Sequence, residues 1–170
     1  MQVHLSPRGA GSQKWDKGGL LGPRSLKMQL SRQADYAVRI LLDVASAGDG
    51  VPVSARQIAR RQLVPYPFLR KIASSLASAG FVDTRRGRGG GITLAQPAEG
   101  ITLRQIVEAM EGPILLNRCL IAPGTCSLDR VCPVHLVWRR VQEDLLGLLG
   151  SVTLADLARE GRRLRRRRSP

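Results

Sequence analysis

The sequence predicts a mainly α chain with a small β-hairpin wing: a winged helix-turn-helix followed by a long dimerisation helix. Three observations carry that prediction. Two short amphipathic segments meet across "LVPYP", and a glycine- and arginine-rich run, "FVDTRRGRGGGITLA", follows them directly. Further on, "PVHLVWRRVQEDLLGLLG" sets Val134, Trp138, Val141, Leu145 and Leu148 at alternating steps of four and three, a heptad-like seam.

A length of 170 residues allows one domain of ordinary size, with enough apolar content for a core that needs no cysteine staples. No run approaches the roughly 20 apolar residues that cross a bilayer, and the N-terminus lacks the order of a secretory signal. A soluble cytoplasmic protein is expected, with no membrane partner and no small-molecule substrate. The net charge of +14 is unevenly placed. Residues 1–27 carry five Lys/Arg against Asp16, and residues 159–170 carry seven Arg against Glu160. Residues 1–27 are rich in Gly, Pro and Ser without period, so a disordered extension is expected, with Met28 as a candidate true start. The basic end, residues 161–170, is expected to be a disordered tail that either contacts phosphates or solubilises the chain.

From Met28 a clean pattern opens. Ser31 reads as an N-cap, and Ala34, Val38, Leu41 and Ala45 form the apolar face of a first helix. After "GDGVP", Ser54 caps a short helix, "ARQIARRQ". A second, "FLRKIASSLASAG", has Phe68, Ile72, Leu76 and Ala79 directed at the core. Arg70, Lys71, Ser74 and Ser78 lie on its other faces, a basic and small-residue surface suited to the major groove of DNA.

Two β-prone runs, 81–84 and 92–94, then flank a tip that carries Arg85, Arg86 and Arg88. Glycine lets the backbone lie close to another surface, and arginine can enter a narrow, electronegative minor groove. The glycines bear a faint likeness to a phosphate-binding loop, but the Gly-Lys-Ser/Thr ending and the following helix that such a loop needs are not present, which disfavours nucleotide binding. The candidate DNA contacts are Ser54, Gln57, Tyr66, Pro67, Arg70, Lys71, Ser74, Arg86 and Arg88. The winged helix-turn-helix region spans 28–98, and a sensor and dimerisation region spans 99–160.

In that second region "ITLRQIVEAMEG" gives a helix with Leu103, Ile106, Val107 and Met110 on one side. Pro133 suits the first position of the long helix. The seam of that helix is longer than so small a core needs, so a homodimer on paired half-sites of double-stranded operator DNA is expected. "TLADLARE" adds a short last helix.

Between the two helices, "CLIAPGTCSLDRVCPVH" holds all three cysteines and one of the two histidines. Cys119, Cys126 and Cys132 are separated by six and five residues, wider than Cys-x2-Cys zinc knuckles. Such a loop can wrap a cluster, and iron-sulfur clusters accept histidine in place of one cysteine. Two other readings stay open: a thiol switch with one spare cysteine, and a structural zinc site of Cys119, Cys126, Cys132 and His135. An electron carrier fits the charge poorly. No general base and nucleophile set supports an enzyme, since His4, the other histidine, lies in the extension.

Together "MQLSRQADYAVRILLDVA", "FLRKIASSLASAGFVDTRRGRGGGITLAQPAEGITLRQIVEAMEG" and the cysteine loop resemble the bacterial winged-helix repressors of the IscR/NsrR family, over about residues 28–160. The resemblance implies a dimeric transcription regulator, probing DNA with its second helix and wing, that holds a 2Fe-2S or 4Fe-4S cluster near the dimerisation helix. Members similar to the cluster-assembly regulator use a histidine three residues after the last cysteine, here His135. Members similar to the nitric-oxide-sensing repressor use an aspartate reaching across from a second subunit, here Asp35. "ADYAVR" inclines the comparison towards Asp35, although an i,i+4 pair with Arg39 would equally account for that residue. Cluster damage by nitric oxide, oxygen or iron shortage would then change DNA affinity by linkage.

Overall fold

The computed structural model describes residues 30–87 and 89–168. The sequence-based expectations for residues 1–27 and for Arg88 lie outside the described residues. Six α-helices and one antiparallel hairpin follow one another as α1 (Arg32–Ala47), α2 (Ala55–Gln62), α3 (Tyr66–Ser78), β1 (Val82–Arg85), β2 (Gly91–Leu94), α4 (Leu103–Glu111), α5 (Pro133–Ser151) and α6 (Leu154–Arg168).

Local signals start most of these helices. Ser31 caps α1, its Oγ accepting from Ala34 N–H at 3.2 Å. Thr102 and Gln105 form a reciprocal capping box at the start of α4. Pro133 opens α5, as expected. Thr153 and Asp156 repeat the box at α6: Thr153 N–H and Oγ1–H donate to the Asp156 carboxylate, and Asp156 N–H donates back to Oγ1. These bonds, with Arg159 nearby, hold the Asp156 carboxyl below its ordinary range.

One core joins the elements. Ile40, Leu41 and Val44 of α1 meet Ile58 of α2, Leu69, Ile72 and Leu76 of α3, and Phe81, Val82 and Ile92 at the base of the hairpin. Ile101, Ile106, Leu154 and Ala155 belong to the same cluster, so residues from both sequence-assigned regions, 28–98 and 99–160, share it. Each fully buried Leu or Ile stabilises this arrangement by roughly 1.5–3 kcal/mol. The α5–α6 junction is pinned beside α4, with Leu103 N–H on Val152 O and Leu154 N–H on Ile101 O, at 2.9 and 2.8 Å.

Three expectations are corrected. Helix α3 begins at Tyr66, with a proline in its first turn, and its buried stripe is Leu69, Ile72, Ala73 and Leu76. Phe68 is 60% exposed and Ala79 is the exposed C-cap, because the stripe that steps by three, one and three from Leu69 faces α1 more fully than one that starts at Phe68. The arginine run is helical, since α6 continues to Arg168. Arginine is a good helix former, and cations at a helix C-terminus meet the negative end of its dipole. Arg163 also reaches Glu160 one turn back, at 3.7 Å.

Candidate nucleic-acid interface and cysteine loop

The turn between α2 and α3 is set by Leu63, in the left-handed conformation with φ 53°, followed by Val64, which is buried. Arg61 and Gln62, just before it, converge on the buried carboxylate of Asp43 in α1. The helix pair is therefore fixed both by packing and by a satisfied polar contact.

Strand β1 pairs with β2 from Val82↔Leu94 to Arg85↔Gly91. Val53, ahead of α2, adds a bridge to Ile92 from the other side, with both backbone bonds made at 3.0 and 2.9 Å. This close pairing explains two glycines. A Cβ on Gly91 would stand 2.8 Å from Val53 O, and one on Gly90 would overlap the Arg85 carbonyl.

The wing and α3 enclose a groove lined by Ser54, Tyr66, Arg70, Ser74, Arg85 and Arg86. Five of these six are sequence-named candidates; Arg85 was recognised only as part of the wing tip. Ser54 occupies the N-cap of α2, where the sequence places a cap, yet its side chain makes no capping bond; the residue lines the groove. Arg56 lies over the Tyr66 ring at 5.3 Å from its centroid, a contact missed in the sequence because it joins two helices. Gln57 and Pro67 are exposed but do not line the groove. Lys71 sits on a neighbouring depression with Ser74, Ser78 and Ala109.

The loop between α4 and α5 is built from short turns. Asn117 caps a 3-10 turn, Arg118–Leu120, that carries Cys119; Asp129 Oδ2 accepts from Gly124 N–H at 2.6 Å; and Cys132 is the N-cap of α5. Cys119, Cys126 and Cys132 are free and half-buried. All three line one hollow together with His135, Asp129 and Trp138. His135 Nδ1 is buried without a hydrogen-bond partner. Thiolates and an imidazole are the donor types that iron-sulfur and zinc centres take, so these residues fit such a group in kind. Among the described residues no three His, Cys, Asp or Glu side chains are gathered into a metal-holding group. Asp35 does not line the hollow; its carboxylate pairs with Arg39 at 3.0 Å.

No helix among the described residues is long and apolar enough to cross a membrane. Helix α5 leaves Val134, Val137, Val141 and Leu148 exposed, while Trp138 and Leu145 of the expected seam are half-buried.

A helix pair braced by a glycine-dependent, arginine-bearing hairpin defines a winged helix-turn-helix regulator that binds DNA. The chain belongs to the Rrf2 family, described as an iron-dependent transcriptional regulator, whose profile matches residues 30–160. It is 33% identical over 130 residues to the HTH-type transcriptional regulator IscR of Klebsiella pneumoniae (strain 342), covering 76% of this chain and 79% of that protein. Among solved structures it is similar to CymR (YrzC), the global cysteine regulator of B. subtilis, with a TM-score of 0.66 and 27% identity over 79% of this chain and 98% of that one. IscR of T. potens matches with a TM-score of 0.62 and 28% identity, covering 81% of this chain and 90% of that one. These relatives are transcriptional regulators, not enzymes.

Proposed function

We propose that the chain is a homodimeric regulator whose affinity for operator DNA is set at the cysteine loop, where Cys119, Cys126, Cys132 and His135 hold an iron-sulfur cluster. The observation that carries this reading is that three free thiols share one hollow with His135, whose Nδ1 is buried and unpartnered. A bare buried ring nitrogen is costly unless something binds it. The names of the IscR relatives support the same assignment. When bound, the cluster would supply a centre sensitive to nitric oxide, redox state and iron supply.

The chain's own residues do the rest. Pro133 starts α5 so that His135 falls in its first turn, three residues from Cys132 and on nearly the same face. His135 is thus preferred here over Asp35, the residue towards which the sequence inclined. Helix α3 presents Tyr66, Arg70 and Ser74 to the major groove, while Arg85 and Arg86 of the wing enter the adjacent minor groove and Ser54 meets the backbone. The exposed apolar side of α5 is the dimer seam. A loop that holds the two reading heads differently when loaded and when empty changes DNA affinity by that difference, and DNA changes loading in return.

The test is anaerobic purification followed by an ultraviolet-visible spectrum with iron and sulfide analysis, on the natural chain and on His135→Ala. Charge-transfer bands with a 2Fe-2S or 4Fe-4S complement, lost in the variant, are expected. A colourless natural chain after attempted reconstitution overturns the reading.

A second reading has its own support. The cysteines are free and not gathered into a metal-holding group, and the chain is similar to a global cysteine regulator. Here two thiols give two electrons and two protons to a peroxide-class oxidant and form a disulfide, leaving the third cysteine spare. Peroxide that changes DNA affinity in iron-free protein, with the mass of one disulfide, selects it.

A further inference from the structure

Helix α5 buries only one side chain, and that side chain is polar: Gln142, 9% exposed. A glutamine withdrawn from water is costly unless both ends of its amide are satisfied. Both ends are satisfied here by one short piece of backbone. Nε2 donates to Ile114 O at 2.5 Å, and Oε1 accepts from Leu116 N–H at 2.9 Å. The amide therefore grips residues 114 and 116 as a neighbouring strand would.

The gripped segment begins just after Gly112, the C-cap of α4, and ends at Asn117, which caps the turn bearing Cys119. The other end of the loop is secured differently. Cys132 and His135 belong to the start of α5 itself, and Cys132 N–H donates to Leu128 O at 2.8 Å. The approach to Cys119 is tied to α5 by Gln142. Gln142, Cys119 and His135 also line a second hollow, between the loop and α5.

We propose that Gln142 is the positioning residue of the sensor loop, holding the Cys119 side against α5 so that Cys119 faces the hollow shared with Cys126, Cys132 and His135. The proposal rests on the assignment of this loop as the sensor. Gln142 also adds a tie, through the segment that follows α4, to the direct packing of α4 on both α1 and the long helix. A change in the loop that shifts Cys119 pulls through this amide on α5.

The test uses the full, reduced, iron-free chain and the variants Gln142→Leu and Gln142→Glu. The rate of alkylation by iodoacetamide is resolved for each cysteine by mass spectrometry, and thermal unfolding verifies the fold. Leucine keeps the volume and removes both bonds; glutamate keeps the acceptor for Leu116 N–H and loses the donor. In Gln142→Leu, Cys119 is expected to react faster by about tenfold or more relative to Cys132, the change that the two lost hydrogen bonds make in a local opening equilibrium. In Gln142→Glu, which sets an acceptor against Ile114 O, Cys119 is likewise expected to react faster relative to Cys132, and this variant retains the measurement if the leucine variant does not fold. An unchanged ratio of Cys119 to Cys132, or equal acceleration of all three cysteines, overturns the proposal. Because the ratio is read without iron, failure of cluster loading in the natural chain is a separate result and leaves it standing.

Discussion

Asp43 of α1 is buried, 6% exposed; the Arg61 guanidinium of α2 donates to its Oδ2 from Nε at 3.2 Å and Nη2 at 2.8 Å, while Gln62 Nε2 donates to Oδ1 at 3.0 Å. The pair ties the first helix of the helix-turn-helix to α1. Removing Arg61 leaves a buried carboxylate with two donors fewer and only Gln62 beside it, whereas most surface arginines on this chain can be lost with little effect. Arg61→Ala is expected to destabilise the chain by about 1–3 kcal/mol, read as a lower urea midpoint at unchanged slope. A midpoint equal to that of the natural chain would show that Gln62 and water satisfy Asp43 alone.

Leu63 offers the opposite change. It adopts φ 53° and is 81% exposed, so it carries the left-handed strain without compensating burial. Leu63→Gly relieves a cost of about 1–2 kcal/mol and gives back about 0.5–1 kcal/mol in unfolded-state entropy. A net stabilisation of roughly 0.5–1 kcal/mol is expected, and thermal melts that show a loss instead would place hidden packing at the Leu63 side chain.

The wing supplies a prediction about DNA. Arg86 lines the groove beside α3, and Gly91 passes too close to Val53 to accept a side chain. Against a duplex enriched from a random pool, Arg86→Ala should lower affinity, and if the contact is to phosphate the slope of log K against log salt falls by about 0.9. Gly91→Ala should abolish selective binding while the helical circular dichroism persists. Full affinity in both variants would remove the wing from the interface.

The outer side of α5 predicts an association state. Val141 and Leu148 are 42% and 64% exposed and seven residues apart, the same heptad position in successive heptads. Sedimentation of the natural chain should give twice the monomer mass, and Val141→Lys should give the monomer. Monomers at every concentration in the natural chain would assign the seam another role.

Much of the fold was legible in the sequence, because local rules govern it. Ser31 as a cap, "ARQIARRQ" as a helix with unchanged bounds, Pro133 as a helix start and glycines at the hairpin tip are all decided within a few residues. The phase of α3 was not, since Phe68 and Leu69 are both apolar and only packing against α1 chose Leu69. The arginine run misled for a related reason: charge argued for disorder, while helix propensity and a Thr153 cap, anchored by the burial of Leu154 and Ala155, kept it helical.

What the sequence by itself determined, then, was the order of elements, the winged helix-turn-helix class and the set of thiol and imidazole donors. The tertiary structure alone decided that α6 joins the core of the reading head, that three cysteines and His135 share a hollow from which Asp35 of the same chain is absent, and that Gln142 grips the approach to Cys119. The division has one physical cause. Caps, turns and periodicity act over a few bonds, but the burial of a polar side chain is settled by backbone groups 26 and 28 residues away, which no local pattern announces.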